Sequence, residues 1–202
     1  MDGVLIDAKD WHYEALNKAL GLFGHNISRH DHLVTFDGIP TAVKLNMLTL
    51  ERGLPEKIHE FVNDLKQKYT LELVYQYCKP RFHHEYALSK LKSQGYKIAC
   101  GSNSVRDSIK TMLEKSNLIQ YMEQVVSAQD VLEPKPSPEM YQKIIFDFGL
   151  KPEECLIVED NENGIKAAKA SGAHVLIVKE CDEVNIDNIL DKIKKINSTD
   201  GV

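Results

Sequence analysis

Four times between residues 96 and 196 a short apolar run gives way to an amphipathic helical stretch. Strands separated by helices can be joined only by crossovers, so this alternation points to an α/β protein with a doubly wound, Rossmann-like parallel sheet. The runs fall at residues 96–100, 125–128, 155–158 and 174–178. After the first, Ser104 reads as an N-cap with Asp107 in capping-box position, and Val105, Ile109, Met112 and Leu113 recur at helical spacing. Ser137-Pro138 opens the next helix. A third helix spans about 161–170 and is closed by Gly172, and a last one covers about 184–196.

Residues 9–78 follow a different pattern. Segments 11–23, 42–51 and 57–75 are helical in period, none of the intervening sequence reads as a strand, and a helix over 82–94 leads back to the sheet. The expected organisation is a core of residues 1–8 plus 79–202, with residues 9–78 inserted as an all-helical cap. Trp11 and the Leu and Met residues of the insert are expected in the cap's own core.

Charge bounds the partners. Of the 202 residues, 25 are Lys or Arg and 30 are Asp or Glu, a net charge of −5 that gives no electrostatic reason to expect nucleic acid. The 43% hydrophobic and 27% charged content excludes disorder. There is no apolar run of about 18 residues to span a membrane, nor a basic segment followed by an apolar one at the start. Cys78, Cys100, Cys155 and Cys181 form no CxxC and read as reduced thiols of a cytoplasmic protein. The pairs His30/His32 and His83/His84 read as solvated loop and helix histidines, since no third ligand lies at metal-site spacing.

Ligands of open α/β sheets bind beyond the carboxyl ends of the strands. Polar groups fall at such places here: Asp2 and Asp7 around Gly3-Val4-Leu5-Ile6, Ser102 after the first run, Lys135 between prolines, and Glu159-Asp160 after the third run. Phosphoryl transfer needs a set of this kind, with carboxylates and a cation to hold the phosphate and a lysine and hydroxyl for its oxygens. Adjacent carboxylates favour a hard divalent ion, and oxygen donors suit Mg²⁺.

Asp2-Gly3-Val4-Leu5-Ile6-Asp7, Gly101-Ser102-Asn103-Ser104, Lys135-Pro136-Ser137-Pro138, and Val158-Glu159-Asp160-Asn161 with Gly164 resemble, in order, the four motifs of the haloacid dehalogenase superfamily. The helical insert resembles the cap of its β-phosphoglucomutase-like branch. The resemblance implies that Asp2 is the general acid/base and also offers its carbonyl to Mg²⁺. It implies that Ser102, with the amide of Asn103, binds the transferring phosphoryl group, that Lys135 neutralises charge, and that Glu159 and Asp160 hold the metal. His12, Gly38, Thr41 and Lys44 match cap positions that face substrate.

In that superfamily the nucleophile is the first aspartate of Asp-x-Asp-Gly, and here the matching position would immediately precede Met1. The apolar strand leading into it would precede Met1 too, so the first central strand is expected to be missing from this chain. An N-terminally incomplete sequence or misplaced start codon is one reading, and a catalytically silent protein the other. Loss of a central strand would expose apolar faces and unpaired edges, which favours the first.

The resemblance implies a Mg²⁺-dependent phosphatase acting through an aspartyl-phosphate on a small phosphorylated metabolite, such as a sugar phosphate, in a monomer or weak dimer. A phosphosugar mutase shares every core residue, but a mutase is favoured by a basic residue soon after Gly38, and Ile39-Pro40-Thr41-Ala42 has none. The third reading is a silent protein that binds a phosphorylated ligand or partner.

Overall fold

A computed structural model describes residues 1–199. Four strands lie at the four apolar runs: β1 (Ala99–Gly101), β2 (Gln124–Val126), β3 (Leu156–Glu159) and β4 (His174–Ile177). β1 pairs with β2 in parallel, Ala99 opposite Gln124, and β3 with β4, Leu156 opposite His174. Among the described residues these are two separate two-stranded sheets, where the sequence pattern alone suggests a single one. The helices of this region are α4 (Phe82–Ser93), α5 (Arg106–Lys115), α6 (Glu139–Asp147), α7 (Glu162–Ala170) and α8 (Ile186–Thr199).

Strand alternation sorts the core into layers. Leu156, Val158 and Leu176 share a cluster with Leu91 of α4 and with Ile189, Leu190 and Ile193 of α8. Their neighbours Ile157 and Val175 turn the other way, onto Tyr141 of α6 and Ala167 and Ala168 of α7. Apolar side chains on both faces are what a strand sandwiched between helices requires.

The three long helices expected between residues 9 and 78 are present as α1 (Lys9–Gly21), α2 (Thr41–Arg52) and α3 (His59–Tyr77). α1 buries Ala15, Leu16, Ala19 and Leu20, one stripe at helical spacing, and packs along α3. Leu16 and Leu20 join Phe36, Leu45, Leu48, Leu54 and Val62 in a cluster of their own. Full burial of each such leucine contributes roughly 1.5–3 kcal/mol. α2 stops at Gly53, whose φ of 70° lets the N–H turn back onto the Leu48 and Thr49 carbonyls.

Packing corrects three of the expectations. Trp11 is not in the helical insert's core. It packs on the cluster that contains Met1, Ile6, Ala8, Val74 and Cys78, where α1 and α3 meet the sheet layer. His32 is no solvated loop residue: Arg29–Asp31 form a helical turn that runs on into a wide turn over His32–Phe36, burying His32 and Phe36. His84 is also buried, its Nε2 within 2.8 Å of the Cys181 carbonyl. All four cysteines are free, and Cys155 alone is only half-buried.

Candidate active site

The carboxyl ends of β1 and β3 open into one cavity of about 400 Å³, roofed by α1, α2 and α3. Ten residues singled out from the sequence line it, Asp2, Ser102, Asn103, Lys135, Glu159 and Asp160 from below and His12, Gly38, Thr41 and Lys44 from above, while Asp7 does not. That volume suits a small metabolite.

Asp2 is positioned by a tight turn in which the Met1 carbonyl accepts from the N–H groups of Val4, Leu5 and Ile6. Its Oδ2 accepts from the Ser102 hydroxyl at 2.9 Å and from Ser104 at 3.3 Å, while Oδ1 lies 3.1 Å from His12 Nε2. Ser104 therefore serves the site and not the helix cap; α5 begins after Val105 with no side-chain cap. Burial would raise the Asp2 pKa, but the hydrogen bond from His12, joined by that from Ser102, outweighs it and holds the carboxyl well below the usual range.

His12 in turn has its pKa lowered, by burial first and then by the charge of Lys66. Neutral, it donates from Nε2 to Asp2 and accepts at Nδ1 from Lys66 Nζ, 3.3 Å away. The chain Asp2–His12–Lys66 thus ties the sheet side of the cavity to α1 and α3.

Lys135 is buried beneath the cavity. Its Nζ donates to Glu159 Oε1 at 2.6 Å and to the Gly101 carbonyl at 3.0 Å, and the Tyr141 hydroxyl donates to the same Glu159 oxygen. Burial raises the Glu159 pKa, the Lys135 charge outweighs it, and the carboxyl ends below its ordinary value. Gly164 makes room for this carboxylate: a Cβ there would lie 2.2 Å from Glu159 Cδ. Glu159 is therefore committed to Lys135 and Tyr141, whereas Asp160 faces the cavity.

The Asp160 side chain is fully buried, its Oδ2 lies 2.9 Å from Lys9 Nζ, and that oxygen has no directed hydrogen bond. Gly3, at φ 73°, is what admits it, since a Cβ there would meet Asp160 Oδ2 at 2.0 Å. Among the described residues no group of three or more His, Cys, Asp or Glu side chains forms a closed metal cage. Asn103 joins the two sides of the cavity: its Nδ2 donates to the Gly38 carbonyl at 3.2 Å and to the Lys135 carbonyl at 3.0 Å. Gly38, at φ 72°, sits so close over Asn161 that a Cβ would be 2.9 Å from its Oδ1.

Two cations face the cavity from the helical side. Lys44 and Lys66 are each 7% exposed, and among the described residues neither pairs with a carboxylate. Burial lowers both, Lys44 to about 8 and Lys66, with the Lys44 charge adding to burial, to about 8. Sequence reasoning missed Lys66, Lys9 and His32. Lys66 had a legible signal, because it falls at four-residue spacing in the buried stripe Val62, Lys66, Thr70, Val74.

Residues 1–178 match the family model described as haloacid dehalogenase-like hydrolase. The chain is 33% identical over 172 residues to a phosphoglycolate phosphatase of Aquifex aeolicus, covering 85% of this chain and 78% of that one. It is 26% identical over 175 residues to a phosphorylated carbohydrates phosphatase of Thermotoga maritima, covering 85% and 79%. Its fold is similar to the crystal structure of a β-phosphoglucomutase from Clostridium difficile, with a TM-score of 0.83, 20% identity, and 98% and 96% of the two chains covered.

Proposed function

The chain belongs to the haloacid dehalogenase-like hydrolase family, and from that premise we propose that it is a Mg²⁺-dependent phosphatase of small phosphorylated metabolites that carry a second negative group. One observation carries the reading: Asp2, Ser102, Lys135 and Asp160 converge at the carboxyl ends of β1 and β3 under two buried lysines that, among the described residues, have no carboxylate partner. Residues 1–8 plus 79–202 would act as the catalytic core and residues 9–78 as the cap.

The donor set fits Mg²⁺, which is usually held by one or two carboxylates together with substrate phosphate oxygens. Asp160, whose buried Oδ2 faces Lys9 Nζ, and the backbone carbonyl of Asp2 would hold it, and Lys9 would release Asp160. Bound there, the ion would neutralise charge on the phosphate. Glu159 supports this indirectly by fixing Lys135.

In the aspartyl-phosphate route, the nucleophile would be an aspartate at the position that matches the one immediately before Met1. Ser102 and the amide of Asn103 bind phosphoryl oxygens, and Lys135 offsets their charge. Asp2 is ionised in the free site, the form that accepts a proton from water; a phosphate dianion beside it raises its pKa and lets it protonate the leaving oxygen.

Lys44 and Lys66 would bind the distal anion, which separates a phosphorylated carboxylic acid from a neutral sugar monophosphate. They would equally suit the bisphosphorylated intermediate of a phosphosugar mutase. Phosphate release from both substrate types, with and without Mg²⁺, tests the reading on this chain and on one extended by an apolar segment ending in aspartate. Mg²⁺-dependent release by the extended protein that favours the substrate with the second anionic group by about tenfold or more, as charge-assisted contacts would give, is the expected result. Isomerisation without net release would select the mutase. Absence of turnover in both proteins would overturn the enzymatic reading.

A further inference from the structure

His32 is a buried polar group that neither the fold nor the proposed chemistry uses. It is 2% exposed, it lines the active-site cavity, and among the described residues neither of its ring nitrogens has a hydrogen-bond partner. Nearly all buried polar atoms in proteins are paired, so an imidazole with both nitrogens idle needs a reason. Other histidines on the cavity wall keep the rule: His12 spans Asp2 and Lys66, and His59 Nε2 lies 2.7 Å from the Thr49 hydroxyl. The Lys9 backbone pulls the His32 pKa upward without a directed hydrogen bond to either nitrogen.

We propose that His32 is a specificity-determining residue that hydrogen-bonds a hydroxyl next to the substrate's distal anion, so that the substrate is a phosphorylated hydroxycarboxylic acid. The inference rests on the distal anion of the phosphatase reading and adds to it an uncharged part of the substrate.

The turn that carries His32 is pinned on both sides. The His32 N–H donates to the Ser28 carbonyl and the Asp31 N–H to the Ser28 hydroxyl, both at 3.0 Å. Arg29 pairs with Asp10 of α1, and Asp31 with Arg52 of α2, each at 2.6 Å. The Tyr13 ring centroid lies 5.1 Å from that of the imidazole. This holds the backbone in place, but no hydrogen bond holds the ring. Its nitrogens are covered, so the small surface that His32 shows the cavity is carbon. A half-turn about Cβ–Cγ exchanges nitrogens for carbons and brings a polar atom to that surface.

Charge selects the group it meets. Burial first, and then the Lys44 charge, lower the His32 pKa, with His12 adding to them, so the imidazole is neutral and offers one donor and one acceptor. Lys44 and Lys66 already supply the positive charge for the anion. Asp37 also lines the cavity, and its charge acts on His32 in the opposite sense to Lys44. An anionic oxygen at this place would be repelled by Asp37 and would use the imidazole donor alone. A hydroxyl accepts from the N–H or donates to the bare nitrogen, and carries no charge for Asp37 to oppose.

Two ligands that differ in that hydroxyl alone test the proposal: 3-phosphoglycerate, which has it beside the carboxylate, and 3-phosphooxypropanoate, which lacks it. Binding of each to the full chain in Mg²⁺ is measured by calorimetry, with phosphate release recorded alongside, and the His32 ring nitrogens are followed by NMR. The hydroxy acid is expected to bind about tenfold or more tighter, as a hydrogen bond to an otherwise unpaired buried group gives, and to shift the His32 nitrogen resonances, which the other ligand leaves in place. His32→Phe is expected to level the two affinities, and His32→Gln, which keeps a donor and an acceptor, to retain part of the difference. If the phenylalanine variant does not fold, the glutamine variant and the wild-type resonances decide. Equal binding of the two ligands by wild type, unmoved His32 resonances, or a preference that survives in His32→Phe would overturn the proposal and leave the phosphatase reading standing. Preference for the hydroxy acid without phosphate release, even by the extended protein, would uphold His32 and remove the phosphatase. Binding of neither ligand would overturn both the phosphorylated acid and the role of His32.

Discussion

Replacing Lys66 by methionine is expected to stabilise the ligand-free protein while weakening its hold on an anionic substrate. Lys66 is 7% exposed on α3, faces the buried Lys44, and among the described residues has its ammonium hydrogen-bonded to His12 Nδ1 alone, at 3.3 Å. Burial first, and Lys44 second, bring its pKa from 10.5 to about 8. At roughly 1.4 kcal/mol per pKa unit, this opposes folding by on the order of 3 kcal/mol at pH 7, where the lysine is charged in both states. Methionine keeps the apolar stem and drops the charge, but leaves His12 Nδ1 without its donor, a loss of about 1 kcal/mol. The net gain of about 2 kcal/mol corresponds to a Tm higher by roughly 4–8 °C for a chain of this size.

The sign of the pH dependence follows from the same depressed lysine. Between about pH 8 and 10.5 the unfolded chain holds the proton that the folded chain has released, so wild-type stability rises with pH across that window. The variant loses the Lys66 share of the rise and keeps that of Lys44. Thermal unfolding of both proteins at pH 7 and pH 9.5, without ligand, measures this. A variant that melts below wild type at pH 7, or retains the whole rise, would refute the reasoning that Lys66 is a buried charge kept for a ligand.

Further outcomes follow from the same geometry. Lys135→Ala leaves the Glu159 carboxylate, 3% exposed, without its cation; a loss of about 3–5 kcal/mol in denaturant unfolding is expected, with turnover abolished. Adding Glu159→Gln is expected to restore most of that stability and none of the turnover; recovery of turnover would remove Lys135 from the chemistry. Gly3→Ala puts a methyl 2.0 Å from Asp160 Oδ2 at a φ of 73°, so Mg²⁺ affinity by calorimetry is expected to fall by about tenfold or more, and an unchanged affinity would take Asp160 out of the metal site. The KM for a substrate with a second anionic group is expected to climb above about pH 8 as Lys44 and Lys66 lose their protons, with no such climb for a neutral sugar phosphate; parallel profiles would separate these lysines from the distal anion.

The alternation of strand and helix was legible in the sequence because period 2 and period 3.6 are local patterns, and β3 and β4 fall within a residue of their apolar runs. Ser102, Lys135 and Asp160 were legible for a topological reason: in an α/β unit, residues just past strand carboxyl ends arrive on one side wherever the strands sit. Lys44 and Thr41 could be placed only through the family resemblance, and both line the cavity.

Tertiary structure alone decided which partner each of these groups takes. Ser104 has the sequence context of a helix cap and donates instead to Asp2, 102 residues away, because the chain enters α5 one residue later than the pattern suggests. Glu159 and Asp160 are adjacent acids with identical local signals, yet strand alternation sends one onto Lys135 and Tyr141 and the other into the cavity. Lys66 meets His12 across 54 residues of chain. Local pattern fixes which face a residue occupies, but a buried charge takes its pKa and its role from neighbours brought in by packing, and those contacts are long-range.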